Sequence, residues 1–291
     1  EKGQVMSADR LEYLQRDAMR VLHETREAHF KDHDMAAAVI MFSGGNDSTI
    51  VAHTMRHHAT HLGHANTGIG IEQTREFVRN VAADWGMPLI EKSPDERDSY
   101  ERAVIEYGFP GPGHHFKMYQ RLKERAFRKM RAELVSNPRK ERVLFLSGIR
   151  RDESARRAKR PEHSRDGSIV WASPLINWTD DDMRMYRQAH PDLPHNAVTD
   201  HLHMSGECLC GSFAHAGELE EIRFWYPDVA VKIEALGAKA AANGVAPERC
   251  QWGWGAYKGM TDDEIAAIKE ELKDTLCSTC VFSPAAAPDG Q

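Results

Sequence analysis

The sequence has no long hydrophobic run. Its longest unbroken apolar stretch, residues 35–42, is eight residues, far short of the roughly 20 that a helix needs to span a bilayer. It also has little excess charge: 44 acidic against 38 basic residues leave a net charge of -6. Global attraction to a polyanion is therefore not built in, and any nucleic-acid contact must use local basic patches. An even cysteine framework is missing too, because the chain has five cysteines, four of them in the close pairs Cys208/Cys210 and Cys277/Cys280. Residues 1–32 are charged throughout and hold no apolar core of an export signal. The expectation is a soluble cytoplasmic protein, with no membrane partner. In that compartment paired cysteines read as metal or redox ligands before they read as disulfides. No internal repeat is present. The hydrophobic residues that remain, 41% of the chain, suffice for one large α/β domain or a core domain with a smaller appendage.

Residues 9–30 carry Leu11, Leu14, Met19, Val21 and Leu22 near helical spacing, an amphipathic helix. The run Ala36-Ala37-Ala38-Val39-Ile40-Met41-Phe42 is too short for a buried helix and reads as a strand covered on both faces. Strand-like segments at His61–Ala65, 88–91, 143–148 and Ile169–Ala172 alternate with helical patterns at 71–85, closed by Gly86, and at 116–134. Thr179 caps a further helix whose first turn is Asp180-Asp181-Asp182. This alternation predicts an α/β fold with a doubly wound parallel sheet, in which ligands sit beyond the carboxyl ends of the strands. After Pro191 short helices, glycines and tryptophans take over, and Thr261-Asp262-Asp263-Glu264 forms a capping box for a final helix to about residue 274. The expected organisation is an N-terminal helix (1–34), a nucleotide-binding domain (35–195), a helical cysteine-containing region (196–283) and a disordered tail (284–291).

The strongest chemical signal is Phe42-Ser43-Gly44-Gly45-Asn46-Asp47-Ser48-Thr49. Two glycines between a buried strand and a helix permit a tight turn and close backbone approach to a ligand. The first amides of the following helix have no internal partner and lie at the positive end of its dipole, a ready phosphate site. Ser43 and Ser48 add hydroxyl donors, while Asp47 either holds Mg²⁺ or caps the helix. The plain alternative is a glycine turn without a ligand.

These residues resemble the S-G-G-x-D-S pyrophosphatase loop of the adenine nucleotide α-hydrolase fold. They lack the longer spacing and Gly-Lys-Ser/Thr ending of the Walker loop. Further matches are similar to the phosphoadenosine-phosphosulfate reductase-like group: Asn66-Thr67-Gly68 with Glu72-Gln73-Thr74, then Gly148-Ile149-Arg150-Arg151-Asp152-Glu153-Ser154-Ala155-Arg156-Arg157, Pro174-Leu175-Ile176-Asn177-Trp178-Thr179 and Ser205-Gly206-Glu207-Cys208-Leu209-Cys210. They occur in family order over residues 38–215. The resemblance implies ATP and Mg²⁺ as cofactors and a nucleotide site at Phe42, Ser43, Gly44, Gly45, Asn46, Asp47, Ser48, Thr49, Asn66, Thr67, Gly68, Gly148, Arg150, Glu153 and Arg157. Asp47 and Ser48 carry the catalytic roles in it, Arg150 and Arg157 face phosphate, and Glu153 orients an arginine. Two positions depart from the pattern: the usual loop lysine is Asn46, and the usual aspartate of the second segment is Asn66. The nucleophilic cysteine of a Cys-Gly-x-His-like tail, used by the true sulfonucleotide reductases, is not found in Cys280-Val281-Phe282-Ser283-Pro284.

Arg150, Arg151, Arg156, Arg157, Lys159, Arg160 and Arg165 cluster after a strand end, and the 116–134 helix is also basic. Together they read as a track for a nucleic-acid backbone or as solvated surface. Cys208, Cys210, Cys277 and Cys280 are expected as a four-thiolate site. The iron–sulfur branch of the resembled group favours a [4Fe-4S] cluster, with zinc as the alternative. Cys250 reads as a packing cysteine. His53 and His57, four apart, have zinc-compatible spacing but no accompanying carboxylate motif. The resulting expectation is an ATP pyrophosphatase that adenylates a substrate and releases pyrophosphate for sulfur transfer, for example DNA phosphorothioate-type modification, with a sulfur donor such as a cysteine desulfurase. The rivals are a sulfonucleotide reductase and a non-catalytic nucleotide or nucleic-acid binding subunit.

Overall fold

The structure, a computed structural model, describes residues 2–261, 263–265 and 267, with side chains from residue 9 onward. The strands are β1 (Asp34–Met41), β2 (His61–Ala65), β3 (Leu89–Lys92), β4 (Glu141–Leu146), β5 (His163–Asp166) and β6 (Ile169–Ala172). The helices are α1 (Lys2–Phe30), α2 (Asn46–Met55), α3 (Glu72–Asp84), α4 (Tyr100–Tyr107), α5 (His115–Tyr119), α6 (Arg125–Leu134), α7 (Asp180–Ala189), α8 (Val198–Leu202), α9 (Glu218–Trp225) and α10 (Pro227–Ala242). Contacts divide the chain into two compact units, Glu1–Asp95 with Gln120–Cys208, and Glu96–Tyr119 with Leu209–Gln291. The division falls at Cys208 rather than at the expected 195. The segment 96–119 joins the second unit. Among the described residues no helix is long and apolar enough to cross a membrane.

The first unit is a six-stranded sheet in the order β3-β2-β1-β4-β6-β5. All neighbouring pairs are parallel except β5 with β6. The strand β1 lies inside the sheet, with Ile40 opposite Leu62 on one side and Leu146 on the other. Alternation along β1 separates two cores. Ala38 and Ile40 pack with Leu14, Leu22, Ile50, Val51, Val78 and Met183 from α1, α2, α3 and α7, whereas Ala37 and Val39 pack with Met130 of α6. Helices on both faces explain why β1 is apolar at successive positions, and they bear out the doubly wound α/β reading. Burying a side chain such as Ile40 contributes about 1.5–3 kcal/mol. The chain leaves β1 toward β2 on one side and later returns to β4 on the other, so a topological switch lies at the carboxyl end of β1.

Several local elements follow the expected signals. Thr179 and Asp182 form a reciprocal capping box at the start of α7, Thr179 N donating to Asp182 Oδ2 at 2.9 Å and Asp182 N to Thr179 Oγ1 at 3.2 Å. The box at Thr261 and Glu264 forms as well, although the helix beyond it lies outside the described residues, as does the tail 284–291. Other elements differ from the reading. The basic segment expected as one helix over 116–134 is α5, a π-helical turn at Gln120–Glu124 and α6. The arginine-rich stretch after β4 ends in β5, a polar antiparallel edge strand. Its four residues, His163-Ser164-Arg165-Asp166, give no apolar alternation to read. In the second unit, α10 runs 16 residues, longer than the short helices expected there. It packs so closely that a Cβ at Gly237 would collide with the Cys250 carbonyl oxygen.

Candidate functional site

The segment after β1 is fixed by its own hydrogen bonds. Phe42, fully buried and packed on Phe77, extends the ladder by donating its amide to Gly63 O at 2.8 Å. Gly44 then takes φ +75, and a Cβ there would lie 2.9 Å from Thr74 Cγ2. Both conformation and space therefore require glycine. Gly45, extended, is the N-cap of α2 and supplies no side-chain cap, so the first amides of α2 are left to an outside acceptor. Ser48 Oγ closes the turn: it donates to Gly45 O at 2.9 Å and accepts from Ser43 N at 3.3 Å and Ser43 Oγ at 3.1 Å. Thr49 Oγ1 also donates to Gly45 O, at 2.9 Å. The catalytic role expected of Ser48 thus falls on a buried hydroxyl that holds the loop shape.

Asp47 and Arg150 meet at this loop. Gly148 approaches so closely that a Cβ would sit 2.9 Å from the Asp47 carbonyl carbon. That contact brings the chain after β4 to the first turn of α2. The buried Arg150 donates from Nε to Asp47 Oδ2 at 3.0 Å, from Nη2 to Asp180 Oδ1 at 2.8 Å and from Nη1 to Trp178 O at 3.3 Å. Burial pushes the Asp47 carboxyl up, and Arg150 opposes that shift. Glu153 accepts from Arg150 N at 3.0 Å and from the Arg157 guanidinium. The Arg150 guanidinium expected to face phosphate is directed at Asp47, Asp180 and Trp178. The exposed Asn46 side chain accepts from Arg187 Nη2 on α7 at 2.8 Å.

The second loop, Asn66-Thr67-Gly68, follows β2. Asn66 Nδ2 donates to Glu91 Oε1 at 2.7 Å, and Asn66 Oδ1 accepts from Gly68 N at 3.0 Å. Arg79 forks onto both Glu91 oxygens at 2.9 Å. Arg79 first, then Asn66, holds the Glu91 carboxyl below its ordinary value against the opposing effect of burial. The strand-end segments are stitched to residues 205–207: Thr74 Oγ1 donates to Ser205 O at 2.5 Å, Ile71 N to Gly206 O at 2.9 Å and Thr67 Oγ1 to Glu207 O at 2.5 Å. The buried Glu207 carboxylate accepts from Thr67 N at 2.8 Å and pairs with His64 Nε2 at 3.1 Å, while His64 Nδ1 lies 2.8 Å from Phe42 O. Asn196 Nδ2 bridges Gly44 O at 2.9 Å and Thr74 Oγ1 at 3.1 Å. The sequence reading did not single out Arg187 or Asn196 and quoted Glu207 only as a neighbour of Cys208, because their partners lie 141, 152 and 140 residues away.

Of the expected thiolate ligands, Cys208 and Cys210 lie within the described residues, and Cys210 Sγ donates to Ser212 Oγ at 3.3 Å. Cys277 and Cys280 lie outside the described residues. Among the described residues no three His, Cys, Asp or Glu side chains gather as a metal site. Cys250 Sγ is turned to the carbonyls of Val245 and Ala246. His53 is a packing residue: its ring nitrogens bond Tyr186 Oη at 2.8 Å and Asp192 Oδ2 at 3.0 Å. His57 accepts from Arg56 Nε at 3.2 Å.

A glycine turn and an uncapped helix at the switch point of a parallel sheet define a class, the nucleotide-binding α/β proteins. Within it, the sequence profile of the phosphoadenosine phosphosulfate reductase domain matches residues 37–204, and the chain belongs to that family. A stretch of 145 residues is 26% identical to phosphoadenosine 5'-phosphosulfate reductase of Photobacterium profundum, covering 48% of this chain and 53% of that protein. The chain thus spans about half the length of this curated relative. Among solved structures it is similar to phosphoadenylyl-sulfate reductase from Candida auris in a phosphate complex, with 18% identity and a TM-score of 0.44 over 65% of this chain and 89% of that one. It is also similar to U34-tRNA thiolase NcsA from Methanococcus maripaludis with its [4Fe-4S] cluster, with 9% identity and a TM-score of 0.45 over 96% of this chain and 85% of that one. These relatives are enzymes.

Proposed function

We propose that the chain is an ATP pyrophosphatase that adenylates a substrate and prepares it for sulfur transfer. The observation that carries this reading is the glycine turn at residues 43–48, ending in an uncapped α2, in a member of this family. The triphosphate lies on the α2 amides, and the adenine lies near Phe42 and the Asn66–Gly68 turn. An acceptor oxygen attacks the α-phosphorus, the bond to the β-phosphate oxygen breaks, and pyrophosphate leaves with the bonding electrons. The amides stabilise the leaving charge, to which Mg²⁺, when bound, would add its positive charge. Asp47 would hold the Mg²⁺, and Arg150 orients its carboxylate and opposes the upward push of burial.

Cys208 and Cys210, with Cys277 and Cys280, would hold a [4Fe-4S] cluster, or Zn²⁺ through the same thiolates. When bound, a cluster supplies sulfur activation or electrons. The exposed Arg156, Lys159, Arg160 and Arg165 after β4 favour a nucleic-acid acceptor, with a cysteine desulfurase-type protein as sulfur donor. The test is incubation of the full chain with α-labelled ATP, Mg²⁺ and candidate acceptors. Pyrophosphate and an acceptor carrying the α-label as AMP are expected, with free AMP only once a sulfur nucleophile displaces it, and release of ADP alone would refute the cleavage site. Anaerobically purified protein should be brown, with broad absorption near ~400 nm.

A second reading, a sulfonucleotide reductase that places preformed adenylyl sulfate on the same loop, draws support from the curated relative's activity. Thioredoxin-dependent sulfite release would select it.

A further inference from the structure

Two arginines touch the first turn of α2, and they are in different electrostatic states. Arg150 is spent, since its guanidinium is ion-paired with both Asp47 and Asp180. Arg187 reaches across from α7 to the Asn46 amide oxygen at 2.8 Å, and among the described residues it is in no ion pair. Burial lowers the pKa of Arg187, with Asp47 and Asp200 opposing from a distance. A half-desolvated guanidinium bonded only to a neutral amide keeps most of its donors and all of its charge for another anion. The loop itself, Ser43-Gly44-Gly45-Asn46-Asp47-Ser48, has no cationic side chain and one carboxylate. A bound polyphosphate would therefore need a cation from elsewhere in the fold. Arg187 projects from the side of α7 that packs on α2, whose neighbouring residues Met183 and Tyr186 join the α2 side chains in one core, so the guanidinium is carried to the loop on a rigid support.

We propose that Arg187 is the phosphate-binding cation of this site, held by Asn46 at the start of α2 so that its free donors meet the pyrophosphate portion of the nucleotide. This rests on the ATP-binding reading above. Asn46 serves as a positioning residue: its amide oxygen orients the guanidinium without neutralising it, which an aspartate there would do.

The test is titration calorimetry of the full-length chain with ATP, AMP and inorganic pyrophosphate, each with Mg²⁺ at one ionic strength. Arg187→Ala should weaken ATP and pyrophosphate about tenfold or more, the effect of losing a charged hydrogen bond, while leaving AMP within about twofold. Adding Asn46→Lys to Arg187→Ala should restore most of the lost ATP affinity, because it returns a cation to the same turn from the loop side. Equal weakening of AMP, unchanged ATP binding in Arg187→Ala, or no recovery in the double variant would each overturn the assignment. The two readings fail separately. A wild-type chain that binds no ATP removes the nucleotide site and Arg187 with it, whereas wild-type binding that Arg187→Ala leaves intact removes Arg187 alone.

Discussion

The two loops at the carboxyl ends of β1 and β2 use the same pair of residue types for different purposes. Each has an asparagine where the family pattern has a charge, and each has a glycine with left-handed backbone: Asn46 and Gly44 in the first, Asn66 and Gly68 in the second. Asn46 turns its oxygen to a cation, Arg187, and Asn66 turns its nitrogen to an anion, Glu91. An amide can do either because it carries a donor and an acceptor at its two ends. The glycines differ as well. A Cβ on Gly44 would run into Thr74, whereas a Cβ on Gly68 would meet nothing within 4 Å. Both loops are hydrogen-bonded, but at its glycine the first is also tightly packed whereas the second is open. A substitution that is strained in both loops should therefore be much worse in the first.

Gly44→Ala should have the largest effect. The left-handed conformation and the Thr74 collision together cost about 2–4 kcal/mol. Chemical denaturation should show that loss, and ATP binding should be abolished; a variant that retains both would mean the loop relaxes freely. Asn66→Asp comes next, at about 1–3 kcal/mol near neutral pH, because a donor to Glu91 is replaced by a second carboxylate. The sign with pH follows from the depressed Glu91 value. In the wild type this group stabilises fully above its ordinary pKa of 4.5 and loses that contribution as pH falls through its lower folded value. The variant removes the Asn66 share of the depression, leaving that of Arg79, and adds repulsion, so its deficit against wild type should shrink on acidification, measured by thermal melts between neutral and acid pH. A deficit that grows instead would refute the pairing. Gly68→Ala should cost only the backbone strain, about 1–2 kcal/mol, with ATP affinity altered less than in Gly44→Ala. Asn46→Asp should have the smallest effect on stability and the opposite sign. A carboxylate in the first turn of α2, beside Arg187, should stabilise by about 0.3–1 kcal/mol while weakening ATP binding, because it neutralises Arg187 and repels phosphate.

Much of the first unit was legible because its signals are local. The run 36–42 reads as a strand covered on both faces, and β1 (Asp34–Met41) is that strand. Gly44 and Gly45 mark a turn by their nature, and Thr179 announces α7 three residues before Asp182 answers it. What escaped the reading depends on distance in the chain. Arg187 is one of several charged residues on a helix until α7 packs on α2, and Asn196 looks like loop punctuation until it bridges Gly44 and Thr74. Arg150 was marked by its motif, but its engagement with Asp47 and Asp180 follows from Gly148 packing against α2, which no spacing reports. The strand β5 escaped for another reason: an exposed edge has no need of apolar residues, so charge there is indistinguishable from a loop. The ligand role of Cys208 and Cys210 rests on resemblance and on the thiols themselves.

The seam between residues 67–74 and 205–207 ties the backbone just before Cys208 to the second loop and to the start of α3 through three hydrogen bonds. The Ile71 amide, whose acceptor is Gly206 O, can trade its hydrogen for deuterium only when that seam parts. Its exchange rate, compared with that of the β1 core, therefore measures how independently the cysteine-bearing segment opens. A ligand that tightens the second loop will slow the clock at Ile71.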